Sequence, residues 1–189
     1  MRPLPLPDWD KSLQRVLDDM DGQPLNVHGL MANHPGLLDA WWDLRMHSVN
    51  GGELEQRDCE LVILRVAVHM RCWYEWASHV DRGLAAGLTE DEIERIAHGP
   101  SATEWNERDA ILLEAVDELF LERAISGSTR KILSEYLDPN QVMDVIAIHG
   151  VYVTLGCMVN TWGLELDERV RARLPDDFTE ESFVAESGS

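Results

Sequence analysis

The chain has 189 residues, 44% of them apolar, which suits one domain with one core. Its 35 acidic and 16 basic side chains leave a net charge of −19, which repels phosphate backbones and anionic lipid and so speaks against nucleic-acid and membrane partners. Three scattered cysteines, Cys59, Cys72 and Cys157, make a poor disulfide framework and favour a reducing, cytoplasmic setting. The N-terminus does not read as a signal peptide, and no stretch is expected to reach the apolar length of a membrane span.

The predicted elements are helices throughout. Residues 1–24 form an N-terminal segment with one helix, capped by Asp8 and running to about Met20. Pro35 suits a first helical turn, and the helix behind it stops at Gly51-Gly52. Glu53 to Gly87 is a long helical stretch, broken near His69 to Arg71. Thr89-Glu-Asp-Glu92 is a capping box for a short helix ending at Gly99-Pro100. Ser101-Ala-Thr-Glu104 opens the next helix and Ser128 the one after. Asp138-Pro139-Asn140-Gln141 opens a last long helix to Trp162. Residues 166–189 read as an acidic C-terminal tail, poorly ordered from Asp176 to Ser189. The expected class is all-α, a single-domain bundle of about seven or eight helices.

Chemistry concentrates between residues 60 and 79. Glu60 is followed after eleven residues by Cys72-Trp-Tyr-Glu75-Trp-Ala-Ser-His79. From Cys72 the polar groups fall at i, i+3 and i+7, within roughly 60° of arc on one helix face. A thiol, two carboxylates and an imidazole on one stripe are what acid–base or thiol chemistry requires.

The segment Glu60 to Val80 resembles the core of the carboxymuconolactone decarboxylase family, which includes the alkyl hydroperoxidase D proteins. The continuation Gly83 to Ile93 and the flanks Asn33 to Trp41 and Arg108 to Leu119 resemble it too. The likeness extends over residues 25–165. It implies an alkyl hydroperoxidase D-like helical domain, catalytic roles for Glu60, Cys72 and His79, and a homo-oligomer. The peroxidase pattern has Cys-x-x-Cys, and here Glu75 stands at the second cysteine. One cysteine cannot cycle through a local disulfide.

Each residue has a plainer reading beside the functional one. Cys72 is a thiolate favoured by a helix start and Arg71, or a buried, inert cysteine. His79 is a proton shuttle or a core histidine. Glu60 is a base or an orienter of His79, or a partner of Arg57 or Arg65. Glu75 is a pocket carboxyl or a solvated one. Trp41, Trp73 and Trp76 line an apolar pocket or fill the core, and Tyr152 and Asn160 reach the site or serve packing. No metal or cofactor is expected. The functional expectation is proton transfer or decarboxylation, of lyase or isomerase type, on a small carbonyl or carboxylate compound. The alternatives are a thiol peroxidase using Cys72 and a non-catalytic helical interaction module.

Overall fold

A computed structural model describes residues 1–187, which are all-α, with no strand among the described residues. Two 3₁₀ turns, Leu6–Asp8 and Lys11–Leu13, lead into α1 (Gln14–Asp18). There follow α2 (Asn26–Met31), α3 (Pro35–Met46), a π-helical turn (His47–Gly51), α4 (Gln56–His69), α5 (Trp73–Ala85) and α6 (Glu90–His98). The chain continues through α7 (Glu107–Glu122), α8 (Gly127–Leu133), α9 (Pro139–Trp162), α10 (Glu168–Arg171) and α11 (Glu180–Ser187). Eight of these helices have seven residues or more, which matches the expected bundle.

Helix α4 is the axis of the fold, packed on α5, α6, α7 and α9. Its run Leu61 to Leu64, with Val66 and Ala67, is fully buried, as befits a helix apolar on most of its circumference. Charged groups on such a helix need partners. Arg57 forks onto Asp109 at 2.9 and 2.8 Å, Arg65 onto Asp117 at 2.6 and 2.8 Å, and Arg108 onto Asp58 at 2.9 and 2.5 Å. These bidentate pairs tie α4 to α7. They also occupy Arg57 and Arg65, the two arginines on α4 that the sequence offers as partners for Glu60.

The break between α4 and α5 falls where the sequence places it. Arg71 takes a left-handed φ of 49°, and Cys72 precedes α5 with φ −105° and ψ 89°. Several ends differ from expectation because nearby side chains cap better. Asp10, not Asp8, accepts from Ser12 N. Asn106, not Ser101, caps α7 by accepting from Asp109 N, and Ser126, not Ser128, caps α8.

Two expectations are corrected. Helix α9 is, by length and a mean hydropathy of 1.8, apolar enough to cross a membrane. In this fold its Val145, Ile148, Val151, Tyr152 and Val159 are buried in the core that α4 centres. The acidic C-terminal segment is structured over α10 and α11: Phe178 and Phe183 are buried, and α11 lies on α5 and α6. Phe183 packs its ring 5.9 Å from Trp73 and 5.3 Å from Trp76, centroid to centroid. Gly188 and Ser189 lie outside the described residues.

Candidate active site

Helices α4 and α5 run side by side, so Glu60 and His79, nineteen residues apart, meet across them. His79 Nδ1 lies 2.6 Å from Glu60 Oε2. The other ring nitrogen, Nε2, is 3.0 Å from the Tyr152 hydroxyl on α9. Gln56 Nε2 donates to Glu60 Oε1 at 3.2 Å. With the carboxylate accepting from Nδ1–H, Nε2 is an acceptor and Tyr152 is its donor. The three side chains form one hydrogen-bonded line, and all three are buried. Burial holds the His79 pKa below its usual value even though Glu60 pulls it up, and burial raises that of Tyr152. The resting line is therefore neutral imidazole between phenol and carboxylate.

Two hollows that share part of their walls meet this line. A small inner chamber of about 30 Å³ is walled by His79, Tyr152, Glu75, Trp41, Arg45 and Arg82, among others. It adjoins a wide vestibule of about 650 Å³ on which Glu60 and Gln56 open. Leu25, His28, Arg45, Ser78 and Arg82 belong to both walls. Glu60 thus faces the vestibule while its partner His79 faces the chamber.

Glu75 is 2% exposed, and neither carboxyl oxygen has a hydrogen-bond partner among the described residues. Desolvation raises its pKa well above the ordinary carboxyl value, which keeps it protonated at neutral pH. The Trp41 Nε1 and Ser78 Oγ in the same wall are also buried without partners. Buried polar atoms are nearly always satisfied, so their convergence on one chamber marks a place for a polar guest.

Other residues singled out from the sequence lie apart. Cys72 is fully buried and outside the walls of both hollows. The i, i+3, i+7 stripe presumes a continuous helix, and Cys72 is the non-helical residue before α5. Burial, then the proximity of Glu75, pushes its thiol pKa up, outweighing the N–H groups of Glu75 and Tyr74. Trp73 and Trp76 pack on Phe183 rather than on the chamber, and Asn160 donates to the Met70 carbonyl at 2.8 Å. Of the tryptophans, Trp41 alone enters the inner wall.

Sequence reasoning missed His28, Arg45, Ser78 and Arg82. His28 Nδ1 accepts from Leu25 N at 3.0 Å. Burial, with Arg45, Arg82 and Arg169 nearby, lowers its pKa to about 3. Arg82 carried a signal: it lies seven residues after Glu75 and three after His79, on the same helix face.

Residues 35–118 match the carboxymuconolactone decarboxylase family. No curated protein matches the chain. Among solved structures, it is similar to a peroxidase-related protein with an alkylhydroperoxidase AhpD core from Ralstonia eutropha JMP134. The TM-score is 0.78 at 18% identity, covering 92% of this chain and 96% of that one. A peroxidase-related protein from Silicibacter sp. TM1040 gives 0.75 at 15%, covering 88% and 91%. The debrominase Bmp8, as a cysteine-to-alanine variant in complex with 2,3,4-tribromopyrrole, gives 0.74 at 15%, covering 90% and 93%. The matched segment holds Glu60, Glu75 and His79, and nearly the whole chain has the AhpD-like fold; over that segment the protein is similar to the carboxymuconolactone decarboxylase family.

Proposed function

We propose that this protein is a proton-transfer enzyme of lyase or isomerase type acting on a small carbonyl or carboxylate compound. The observation that carries this reading is the Glu60–His79–Tyr152 line ending at a chamber that also holds a protonated, unpartnered Glu75. A base and an acid whose environments separate their protonation states are what carbon–hydrogen exchange needs.

In an isomerisation, the Tyr152 oxygen takes a carbon-bound proton while its own proton passes to His79 Nε2. Glu60 stabilises the imidazolium at Nδ1. Glu75 delivers its proton to another carbon, and the proton on His79 returns to Glu75 through Tyr152 and solvent. In a decarboxylation, the bond to the carboxylate carbon breaks, CO₂ leaves, and the electron pair remains as an enolate. Glu75 protonates that enolate and is reprotonated by water.

Support for the thiol peroxidase alternative comes from the peroxidase-related neighbours. It is the weaker reading because Cys72 is sealed and its pKa is raised. A non-catalytic module leaves the buried polar line without a use. Within the proposed reading the protein acts in the cytoplasm as a homo-oligomer. Met143 and Ile146, 68% and 45% exposed on α9, offer an apolar face for a second copy, and light scattering tests that.

The test of function is a panel of β-keto acids and unsaturated lactone acids assayed in D₂O. The expected result is CO₂ release or deuterium at a single carbon, falling about 10²-fold or more in His79→Gln with the helical fold intact. Full turnover in that variant removes the assignment.

A further inference from the structure

We propose that Arg45 and Arg82 form an anion clamp at the junction of vestibule and chamber, holding an acidic group of the substrate other than the one that reacts. The inference rests on the proton-transfer reading for the word "substrate", but the binding site it assigns stands on separate observations.

The first observation is pairing. In a chain of net charge −19, Arg57, Arg65, Arg95, Arg108 and Arg173 each find a carboxylate, and Arg169 on the vestibule wall donates to Gln23. Neither Arg45 nor Arg82 forms an ion pair among the described residues. Arg45 donates instead to the Met46 sulfur at 3.3 Å, and its guanidinium lies 5.1 Å over the Trp42 ring.

Charge balance is the second. Three of the four vestibule carboxylates have other hydrogen-bond or ion-pair partners, and Glu60 acts on Arg45 only through space. Asp81 pairs with Arg173 at 3.4 Å, Asp19 accepts from Trp42 Nε1 at 2.7 Å, and Glu60 holds His79 and Gln56. Asp21 is on the outer wall only. In the inner wall Glu75 is protonated and both histidines are neutral. The groups charged at neutral pH there are Arg45 and Arg82. Their positive field reaches the site: both oppose protonation of His28 and of His79.

Geometry is the third. Both guanidiniums belong to the wall shared by the two hollows, and the partnerless Ser78 Oγ and Trp41 Nε1 are further donors there. The inner chamber of about 30 Å³ admits a group the size of about one or two waters. A substrate therefore presents only its reacting end to Tyr152 and Glu75, while its bulk stays in the vestibule and its charge at the junction. The clamped group is not the one lost in a decarboxylation. Two guanidiniums on a departing carboxylate stabilise the ground state and give nothing to the enolate. The ligand class is a small organic acid with a carboxylate at one end and a carbonyl or second acid group a few carbons away.

Calorimetric titration tests this without turnover. The probe is 4-oxopentanoate, which carries a carboxylate and a ketone, against its neutral amide. The full-length protein is expected to bind the acid, with affinity falling as salt rises, and to bind the amide at least about tenfold more weakly. Arg82→Met and Arg45→Met should each weaken the acid about tenfold or more, Arg82→Lys should restore part of it, and His79→Gln should bind it like the parent. Circular dichroism and a thermal melt check that each variant is folded. Equal binding of acid and amide, or unchanged affinity in folded Arg82→Met and Arg82→Lys, overturns the clamp. Loss of turnover in His79→Gln with unchanged binding separates this site from the proton-transfer reading.

Discussion

Glu60 Oε2 and His79 Nδ1 stand 2.6 Å apart between two adjacent helices, and every other cation near Glu60 on α4 is engaged elsewhere. Arg57 serves Asp109 and Glu92, and Arg65 serves Asp117. The carboxylate therefore fixes one imidazole tautomer. Glu60→Gln puts an amide there that can turn its NH₂ toward Nδ1, moving the ring proton to Nε2 and removing the acceptor that Tyr152 needs. Turnover is expected to fall about 10²–10⁴-fold, with substrate affinity nearly constant, as read from kcat and KM separately. A variant with parental kcat shows that Glu60 does not set the tautomer.

The stripe read from sequence holds where the helix does. Glu75 and His79 are inside α5 and face one chamber, while Cys72, one residue before the helix, turns into the core. A periodicity argument has no means of seeing that a helix starts one residue late. Arg45 and His28 were not legible for another reason. They come from α3 and α2, and only tertiary packing brings those helices to α5. The all-α class and the α4–α5 break were legible because caps, glycines and apolar period agreed.

The C-terminal helix shows the limit of composition. Acidic residues surround two phenylalanines, yet Phe183 is 2% exposed between α5 and α6 and packs on Trp73 and Trp76. Phe183→Ala is expected to cost about 3 kcal/mol, measured as a lowered denaturant midpoint. Since no residue of α11 lines the chamber, turnover at low temperature should persist. A midpoint within error of the parent means that α11 does not hold α5.

His28 gives the fold an acid limit. Its pKa is held at about 3 against an ordinary 6.5, chiefly by burial and then by Arg45, Arg82 and Arg169. The unfolded chain takes up a proton at this position below pH 6.5, and the folded chain does not until about 3. Stability is complete above that window and falls through it as pH drops, by about 1.4 kcal/mol per unit from this group. His28→Gln keeps an acceptor for Leu25 N and cannot protonate. Its unfolding free energy is expected to fall less steeply between about pH 6 and 4 than that of the parent. Parallel curves mean that His28 is solvated.

Glu75 works in the opposite sense. Its carboxyl pKa is raised by burial alone, with no hydrogen bond among the described residues to compensate. The folded chain keeps the proton after the unfolded chain has released it near pH 4.5. Stability from this group is therefore undiminished below pH 4.5 and declines as pH rises toward the folded value, again by about 1.4 kcal/mol per unit. Glu75→Gln abolishes the titration. The difference in unfolding free energy between Glu75→Gln and the parent should grow in favour of the variant from pH 4.5 upward. Comparing slopes rather than absolute values removes the cost of the buried amide. The same substitution withdraws the acid, so turnover should fall about 10²-fold or more even as the alkaline stability improves. A variant that gains stability with pH and keeps its turnover assigns the delivered proton to another group; a flat difference places Glu75 in water.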